Sequence, residues 1–400
     1  MAITKFSITP FIPCDNELAQ SVLPDKAMEL TVLSAKLSGQ LSDITMATLA
    51  RYMRVINSYY SNLIEGNATK PHEIRAAQSG GYSEDPAKRD LQQESLGHMN
   101  VQKWLYEQNP DLDTLFNTDF IKAVHEKFYQ NIPESLWDIK NELGKVVERV
   151  VPGEFRKTAV AVGQHIAPKP ADLNLLMSQF CEIYKQNTFN GDRKLIAVMA
   201  AHHRFSWIHP FIDGNGRVGR LLTDAALRAI GLDSCSVWCL SRGLARSSSQ
   251  YKGFLARADI ARQSDLDGRG ALTEKGLVEF CEYMLNIGID QVEYMSSLLD
   301  VNNFQKRLKG YIQAREDGRI AGFSGSLKPV AATLLYTAFI QGELSRAQAI
   351  ELTGLEERTA RRLIAQLKQE GLLSEKNNKS PLKWEVPEHI EPWYFPELSN

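Results

Sequence analysis

The chain has 400 residues, 43% of them apolar, and a formal charge of −2, which suits two or three soluble domains and advertises no basic field for nucleic acid. Five cysteines, an odd number at irregular spacing, fit reduced thiols in a cytoplasmic protein better than a disulfide framework; Cys235 and Cys239 lack the second pair that zinc needs. The start, Met-Ala-Ile-Thr-Lys, is not built like a signal peptide, and no apolar run approaches the ~20 residues of a membrane span, so no membrane is expected.

Residues 1–25 are Pro-rich and read as irregular. A helix is expected over Lys26–Leu41, and a second over Thr45–Glu65, where Leu49, Met53, Ile56, Tyr60, Leu63 and Ile64 fall near helical spacing. Gly66-Asn67 ends it. Ser61 and Glu65 are four apart and share a face. Glu65 stands in the last turn, where its charge opposes the helix dipole and calls for a cationic partner. Residues 68–92 read as a loop and helix start, followed by helices over 93–107 and 117–130; His125 in the latter reads as structural.

Over 153–170, Thr158, Val160 and Val162 alternate with small residues before Gly163, the pattern of a short hairpin. Residues 171–190 look helical, and Leu195–Trp207 keeps an apolar helical spacing that stops at Pro210. His202 and His203 in that helix face different ways and read as structural.

The most informative stretch follows. Residues 209–220 read His-Pro-Phe-Ile-Asp-Gly-Asn-Gly-Arg-Val-Gly-Arg, and Val218, Leu221, Leu222, Ala225 and Ala229 then recur at helical spacing up to Gly231. This predicts a loop feeding a helix N-terminus. Such a terminus offers free N–H groups and the positive end of the dipole to an anion. Gly214, Asn215 and Gly216 let the backbone come close to a phosphate. Arg217 and Arg220 are expected on one exposed face, opposite the apolar stripe, where two guanidiniums suit a polyphosphate. Asp213 suits a magnesium ion shared with phosphate oxygens, and His209 suits a general base.

After Gly231 a loop around a short segment is expected up to Ser249, then helices over Tyr251–Arg257 and Leu277–Met295, with a charged loop at Asp265–Gly270 between them. Beyond about residue 325 the character changes. Phe323–Pro329 reads as a linker, and helices are expected over Ala331–Ile340, Arg346–Thr353 and Glu356–Glu370. The short turn at Thr353-Gly354-Leu355 has helix-turn-helix proportions, and Leu372-Leu373 and Trp384–Val386 suit wing strands. Arg358, Arg361 and Arg362 suit phosphate contacts, but Glu356, Glu357 and Glu370 on the same helix favour a protein-contacting role.

The pattern of residues 209–220 resembles the signature of Fic-domain proteins, His-Pro-Phe-x-Asp/Glu-Gly-Asn-Gly-Arg-x-x-Arg, at every specified position. The resemblance implies a mainly α fold with a helical core, a small β-hairpin flap and, at 325–390, a winged-helix domain; the core spans 111–300 and an N-terminal helical region 1–110. It implies transfer of AMP from ATP, with Mg2+, to a Ser, Thr or Tyr hydroxyl of a target protein or of the chain itself. His209 is then catalytic and Asp213 holds the metal. Glu65, Asp213, Gly214, Asn215, Gly216, Arg217, Val218, Gly219 and Arg220 contact the nucleotide, Val162, Gly163, Gln164 and His165 border it from the flap, and Tyr251 packs on the adenine. Ser61, Glu65 and Gly66 resemble the family's inhibitory motif, in which the glutamate pairs with the second signature arginine, here Arg220, and disturbs the γ-phosphate. The same glutamate leaves a reverse, AMP-removing reaction open, and a homodimer is also left open. Two alternatives stand beside this reading: transfer of another phosphate-containing group, and a nucleotide-sensing regulator that binds DNA.

Overall fold

The computed structural model describes residues 8–140, 143–185, 188–320, 322–323, 325–396 and 398, without the side chains of Asp233 and Cys235. The Cys235 side chain and part of the expected Phe323–Pro329 linker therefore lie outside the described residues.

The chain divides into two compact units. The first comprises residues 1–34, 54–235 and 239–291; the second comprises 35–53, 236–238 and 292–400. The expected three-part division at 110 and 325 does not coincide with these boundaries. Long helices cross them: α2 (Leu23–Gly39), α3 (Asp43–Ile64) and α13 (Glu274–Leu299) each contribute to both units.

In the first unit a short α1 (Asp15–Gln20) interrupts the stretch expected to be irregular. After α2 and α3 come α4 (Pro71–Gln78), α5 (Pro86–Gln108), α6 (Leu112–Leu115) and α7 (Thr118–Gln130). Thus 68–92 is more helical than its charge and glycines suggest. Proline at the first position of α4 and α5 explains both starts, and Asp85 caps α5 by accepting from the Ala87 N–H at 3.0 Å. Two antiparallel hairpins follow: β1 (Asp138–Lys140) with β2 (Val146–Arg149), which the sequence reading does not anticipate, and β3 (Ala161–Val162) with β4 (His165–Ile166). The unit closes with α8 (Leu173–Tyr184), α9 (Asp192–Ile208), α10 (Asn215–Ala229), α11 (Leu240–Arg246), α12 (Ser248–Ala258) and most of α13. The expected loop before Ser249 therefore holds a helix, α11.

Helix α9 is the axis of this unit. From Leu195 to Phe205 every residue is buried, which makes it a core helix with no solvent stripe. It packs on α8 and α10, and α10 also meets α5 and α7. Gly219 lets the two helices cross closely, since a Cβ there would stand 3.2 Å from the Phe205 ring.

The second unit adds α14 (Val301–Glu316), α15 (Val330–Gln341), β5 (Glu343–Leu344), α16 (Arg346–Thr353), α17 (Glu357–Gln369), β6 (Leu373–Ser374), β7 (Leu382–Trp384) and α18 (Glu391–Tyr394). Its sheet has the order β5-β7-β6, all antiparallel. Phe304, Phe339, Trp384 and Tyr394 form its aromatic core, with the Phe304 and Phe339 ring centres 4.2 Å apart. Helix α14 is a correction, because no element is expected there. Among the described residues no helix is long and apolar enough to cross a membrane.

Candidate active site

Helix α9 ends at Ile208, and His209 caps it in a left-handed conformation, φ +49°. That conformation is uncommon for a residue with a Cβ, so the surroundings must hold it. Arg156 supplies the hold. This buried side chain donates from Nε to the His209 carbonyl at 2.8 Å and from its other nitrogens to the Thr158 and Pro168 carbonyls, while its backbone N–H bonds the Pro210 carbonyl at 2.9 Å. One guanidinium thus joins the His-Pro turn to the base of the β3–β4 hairpin. His209 itself is half-buried. Burial, with the nearby Arg156 and His165 charges, lowers its pKa to about 4. The imidazole is therefore neutral at pH 7 and free to accept a proton.

The loop after His209 is closed by its own asparagine. Asn215 Oδ1 accepts from the Phe211 N–H at 2.9 Å, and Nδ2 returns a bond to the Phe211 carbonyl at 2.8 Å. Its side chain is thus turned into the protein; only its backbone N–H remains for a ligand. Behind the loop lies His125, its ring stacked on Phe211 at 3.9 Å. His125 Nδ1 accepts from the Gly153 N–H, so the proton is on Nε2 and faces the Asp213 carbonyl at 3.2 Å. Burial holds its pKa down to about 4, consistent with this neutral tautomer and a structural role. The His202 ring is likewise buried, between the Thr223 and Tyr251 hydroxyls at 2.7 Å each, and His203 faces Asp259 at 3.1 Å.

Gly214 caps α10 with φ +82° and Asn215 to Arg217 form its first turn, where N–H groups have no partner within the helix. What stands at this turn is Glu65. A Cβ added to Gly216 would be 2.2 Å from Glu65 Oε1, so the carboxylate lies directly against the helix start, where an anion belongs. The same Oε1 accepts from Arg220 Nη2 at 2.7 Å. Arg220 Nε donates to Ser61 Oγ and Nη2 to the Ser61 carbonyl, each at 2.9 Å. Burial raises the Glu65 pKa, but Arg220 and then Arg217 outweigh it, and the net position is below the usual value.

Helix geometry sets this grip. The Gly66 N–H bonds the Leu63 carbonyl at 3.1 Å and the Asn67 N–H bonds the Asn62 carbonyl at 3.0 Å, the paired closing bonds of a Schellman motif. Gly66, at φ +93°, supplies the left-handed residue that this turn requires. Glu65 is thereby the C-cap of α3, with its side chain aimed by the turn.

Asp213 is half-exposed. Its Oδ2 accepts from the Tyr129 hydroxyl at 2.6 Å and lies 3.2 Å from Arg217 Nη2. Burial raises the Asp213 pKa, Arg217 and the Tyr129 hydrogen bond lower it more, and it stays ionised. Magnesium takes one or two carboxylates and fills its shell with water and substrate oxygens. A half-exposed, ionised Asp213 fits that habit, and among the described residues no three His, Cys, Asp or Glu side chains form an all-protein metal site.

Three expectations need correction. Arg217 and Arg220 are not on an exposed face; both are buried, at 6% and 3% exposure, because carboxylates reach them from α5 and α3. Val218 is fully buried and its N–H is spent on the Gly214 carbonyl at 3.0 Å, and Gly219 packs on Phe205, so these two shape the helix crossing and offer no donor to a ligand. Tyr251 is 3% exposed with its hydroxyl on His202, so its ring backs the site and presents no open platform. In the hairpin, Val162 is half-exposed and Gly163 takes φ +60° at the tip. His165 Nε2 donates to the Trp207 carbonyl at 2.8 Å. Gln164 completes the turn between the two strands. The hairpin thus stands at the C-terminal end of α9, next to His209.

The Fic/DOC family pattern matches residues 115–227, which hold α7, both hairpins, α9, the loop and nearly all of α10. Residues 115–227 are thus similar to a Fic domain. Relatives extend the likeness. The chain is 35% identical over 142 residues to the protein adenylyltransferase Fic of Drosophila grimshawi, covering 35% of this chain and 28% of that protein. It is 31% identical over 201 residues to that of Drosophila mojavensis, covering 50% of this chain and 36% of that one. The chain therefore spans well under half the length of these relatives. Among solved structures, a Fic family protein from Desulfovibrio desulfuricans superposes with a TM-score of 0.52 at 19% identity, covering 90% of this chain and 96% of that one. Fic-1 of C. elegans gives 0.53 at 15%, covering 72% and 76%. These structures share the fold.

Proposed function

We propose that the chain transfers AMP from ATP to a Ser, Thr or Tyr hydroxyl of a protein, itself included, and that Glu65 holds it in check. The observation that carries this reading is the placement of a neutral His209 at one end of the loop and the donor-rich start of α10 at the other, with Glu65 standing in the anion position. His209 takes the hydroxyl proton, the oxygen attacks the α-phosphorus, and pyrophosphate leaves. The N–H groups of Asn215 to Arg217 and the two guanidiniums receive phosphate oxygens; such fixed donors and charges do most of the work in phosphoryl-type transfer. Asp213 would hold Mg2+, which supplies positive charge to the phosphates. The half-exposed β3 and 80%-exposed Ile166 of β4 give the target segment a strand edge to join, a mode that reads backbone more than sequence. An AMP-removing reaction with Glu65 placing the water belongs to the same proposal.

The test is labelling with ATP carrying a label in the α-phosphate. Wild type should label weakly, Glu65→Gly strongly, and Glu65→Gly with His209→Ala not at all. Equal labelling by wild type and Glu65→Gly at matched folding removes the inhibitory role from Glu65. Full labelling by the double variant removes the base role from His209.

A second reading rests on the second unit. We infer that α15, β5, α16, α17 and the β6–β7 pair form a winged helix, from their order and from the left-handed Gly354 between α16 and α17. Exposed Arg358 and Arg362 favour a phosphate partner, whereas Arg361 is already paired with Glu357. Sequence-specific DNA binding without α-labelling would favour a nucleotide-sensing regulator.

A further inference from the structure

Glu94 on α5 forms an ion pair with Arg217, the first arginine of the loop-helix motif. Both side chains are largely buried, at 18% and 8% exposure. Arg217 also lies 4.8 Å from the centre of the Phe128 ring, and its Nη2 faces Asp213. The other Glu94 oxygen, Oε2, accepts from Asn67 Nδ2 at 2.7 Å. Asn67 is itself fixed. Its Oδ1 accepts from the Thr69 N–H and hydroxyl, Nδ2 also bonds the Leu91 carbonyl at 3.0 Å, and its backbone N–H closes the Schellman turn.

We propose that Glu94 is the positioning residue for Arg217 and that Asn67 sets Glu94. The proposal rests on the transfer reading above and adds residues outside the signature to it. A long guanidinium side chain reaches a phosphate reproducibly only if its rotamers are locked by a partner. Glu94 provides that lock from a second helix and offsets the pull of Asp213. With the pair removed, the buried charge has Asp213 as its remaining partner within reach and swings toward it. Asn67 holds Glu94 from the far side, so the two carboxylate oxygens are divided between the inhibitory turn and the phosphate-binding arginine.

A consequence separates two neighbours. The turn at 61–67 withholds Arg220 through Glu65 and presents Arg217 through Asn67 and Glu94. Substitutions two residues apart should then have opposite signs: Glu65→Gly raises transfer, Asn67→Ala lowers it.

The experiment measures kcat, KM for ATP and equilibrium ATP binding in the Glu65→Gly chain, with Glu94→Gln or Asn67→Ala added, each with Arg217 intact or changed to Ala. Misplacement by about 1 Å costs on the order of 100-fold. Glu94→Gln should therefore lower kcat/KM about 10-fold or more, and Asn67→Ala should lower it in the same direction by less. Neither should cost anything further when Arg217 is already Ala, which a merely structural role for Glu94 would not produce. Glu94→Gln keeps the side-chain shape; if its melting temperature nevertheless falls sharply, the milder Asn67→Ala decides. An undiminished kcat/KM in Glu94→Gln, or an equal loss with and without Arg217, overturns the proposal. Should Glu65→Gly itself fail to label, the transfer reading fails, and ATP affinity across the same variants decides the positioning of Arg217 on its own.

Discussion

At the scale of single residues, Gly216 makes a testable claim. A Cβ there meets Glu65 Oε1 at 2.2 Å. Overpacking costs about 1–3 kcal/mol. A Cβ there also meets Arg220 Nη1 at 3.1 Å, so Gly216→Ala should destabilise the wild-type chain more than the Glu65→Gly chain, measured by denaturant unfolding; an equal change in both would mean that Glu65 does not stand where described. In the proposed mechanism the pH dependence of transfer follows from His209. Its lowered pKa of about 4 means the imidazole stays neutral down to that pH. In Glu65→Gly, kcat/KM, which reports the free enzyme, should stay level between pH 7 and 5 on account of His209 and fall with a midpoint near 4. A midpoint near 6.5 would place His209 in open solvent. Glu65 titrates in the opposite sense to a raised group. Its carboxyl is lowered, so its pairing energy is present above the ordinary carboxylate pKa and is lost as pH falls through its lower folded value. The Glu65–Arg220 pair should hold throughout the neutral range.

At the scale of elements, the sequence reads best where chemistry is contiguous. Residues 209–220 carry histidine, carboxylate, glycines and arginines side by side, and Ser61, Glu65 and Gly66 announce a helix end, so loop, helix and turn were legible. The supporting side chains were not. Glu94, Asn67, Tyr129 and Arg156 come from remote elements, and a lone Glu or Arg on a helix or loop defaults to solvent until the tertiary structure buries it. Sequence spacing alone puts Arg217 and Arg220 on an exposed face for that reason: the partners that bury them lie on α5 and at the end of α3. For α14 the signal was present, in Phe304, Leu308, Tyr311 and Ile312, all buried, but lysines and arginines between them mask it. Arg156 now yields an element-level prediction. It bonds carbonyls on both sides of the hairpin base, and the Ala167 N–H bonds the Val160 carbonyl at 3.2 Å just below β3 and β4. Arg156→Ala should speed hydrogen exchange at Ala167 and lower transfer in Glu65→Gly. Unchanged exchange would mean that the hairpin holds itself.

At the scale of the whole molecule, α3 matters because it belongs to both units. Its first half, through Met53, lies in the second unit, where the Thr45 hydroxyl donates to the Phe339 carbonyl at 2.6 Å. Its second half lies in the first unit and ends in the turn that holds Arg220. Helix formation is cooperative along an unbroken backbone. Thr45→Val leaves the buried Phe339 carbonyl short of a donor, at a cost of about 1–3 kcal/mol. Hydrogen exchange along Asn57–Tyr60 should then quicken together with that of residues 45–53. Independent exchange in the two halves would show that the first half of α3 has no energetic hold on the turn at 61–67.

Glu65 at the start of α10 is, in another sense, a ligand that the chain carries on a tether. A tethered group acts at a fixed effective concentration, and a soluble competitor must exceed it to displace it. A single carboxylate can stand in for only one phosphate of a nucleotide. In the proposed reading that is the terminal one, which Arg220 would otherwise bind. The wild-type chain should then be nearly blind to the third phosphate and bind ADP and ATP with similar affinity. In Glu65→Gly the tether's cargo is gone, and ATP should bind on the order of 10-fold more tightly than ADP, the worth of a charge-assisted contact. The chain with Glu65 in place would thus respond to ADP and ATP together, and the Glu65→Gly chain to ATP over ADP.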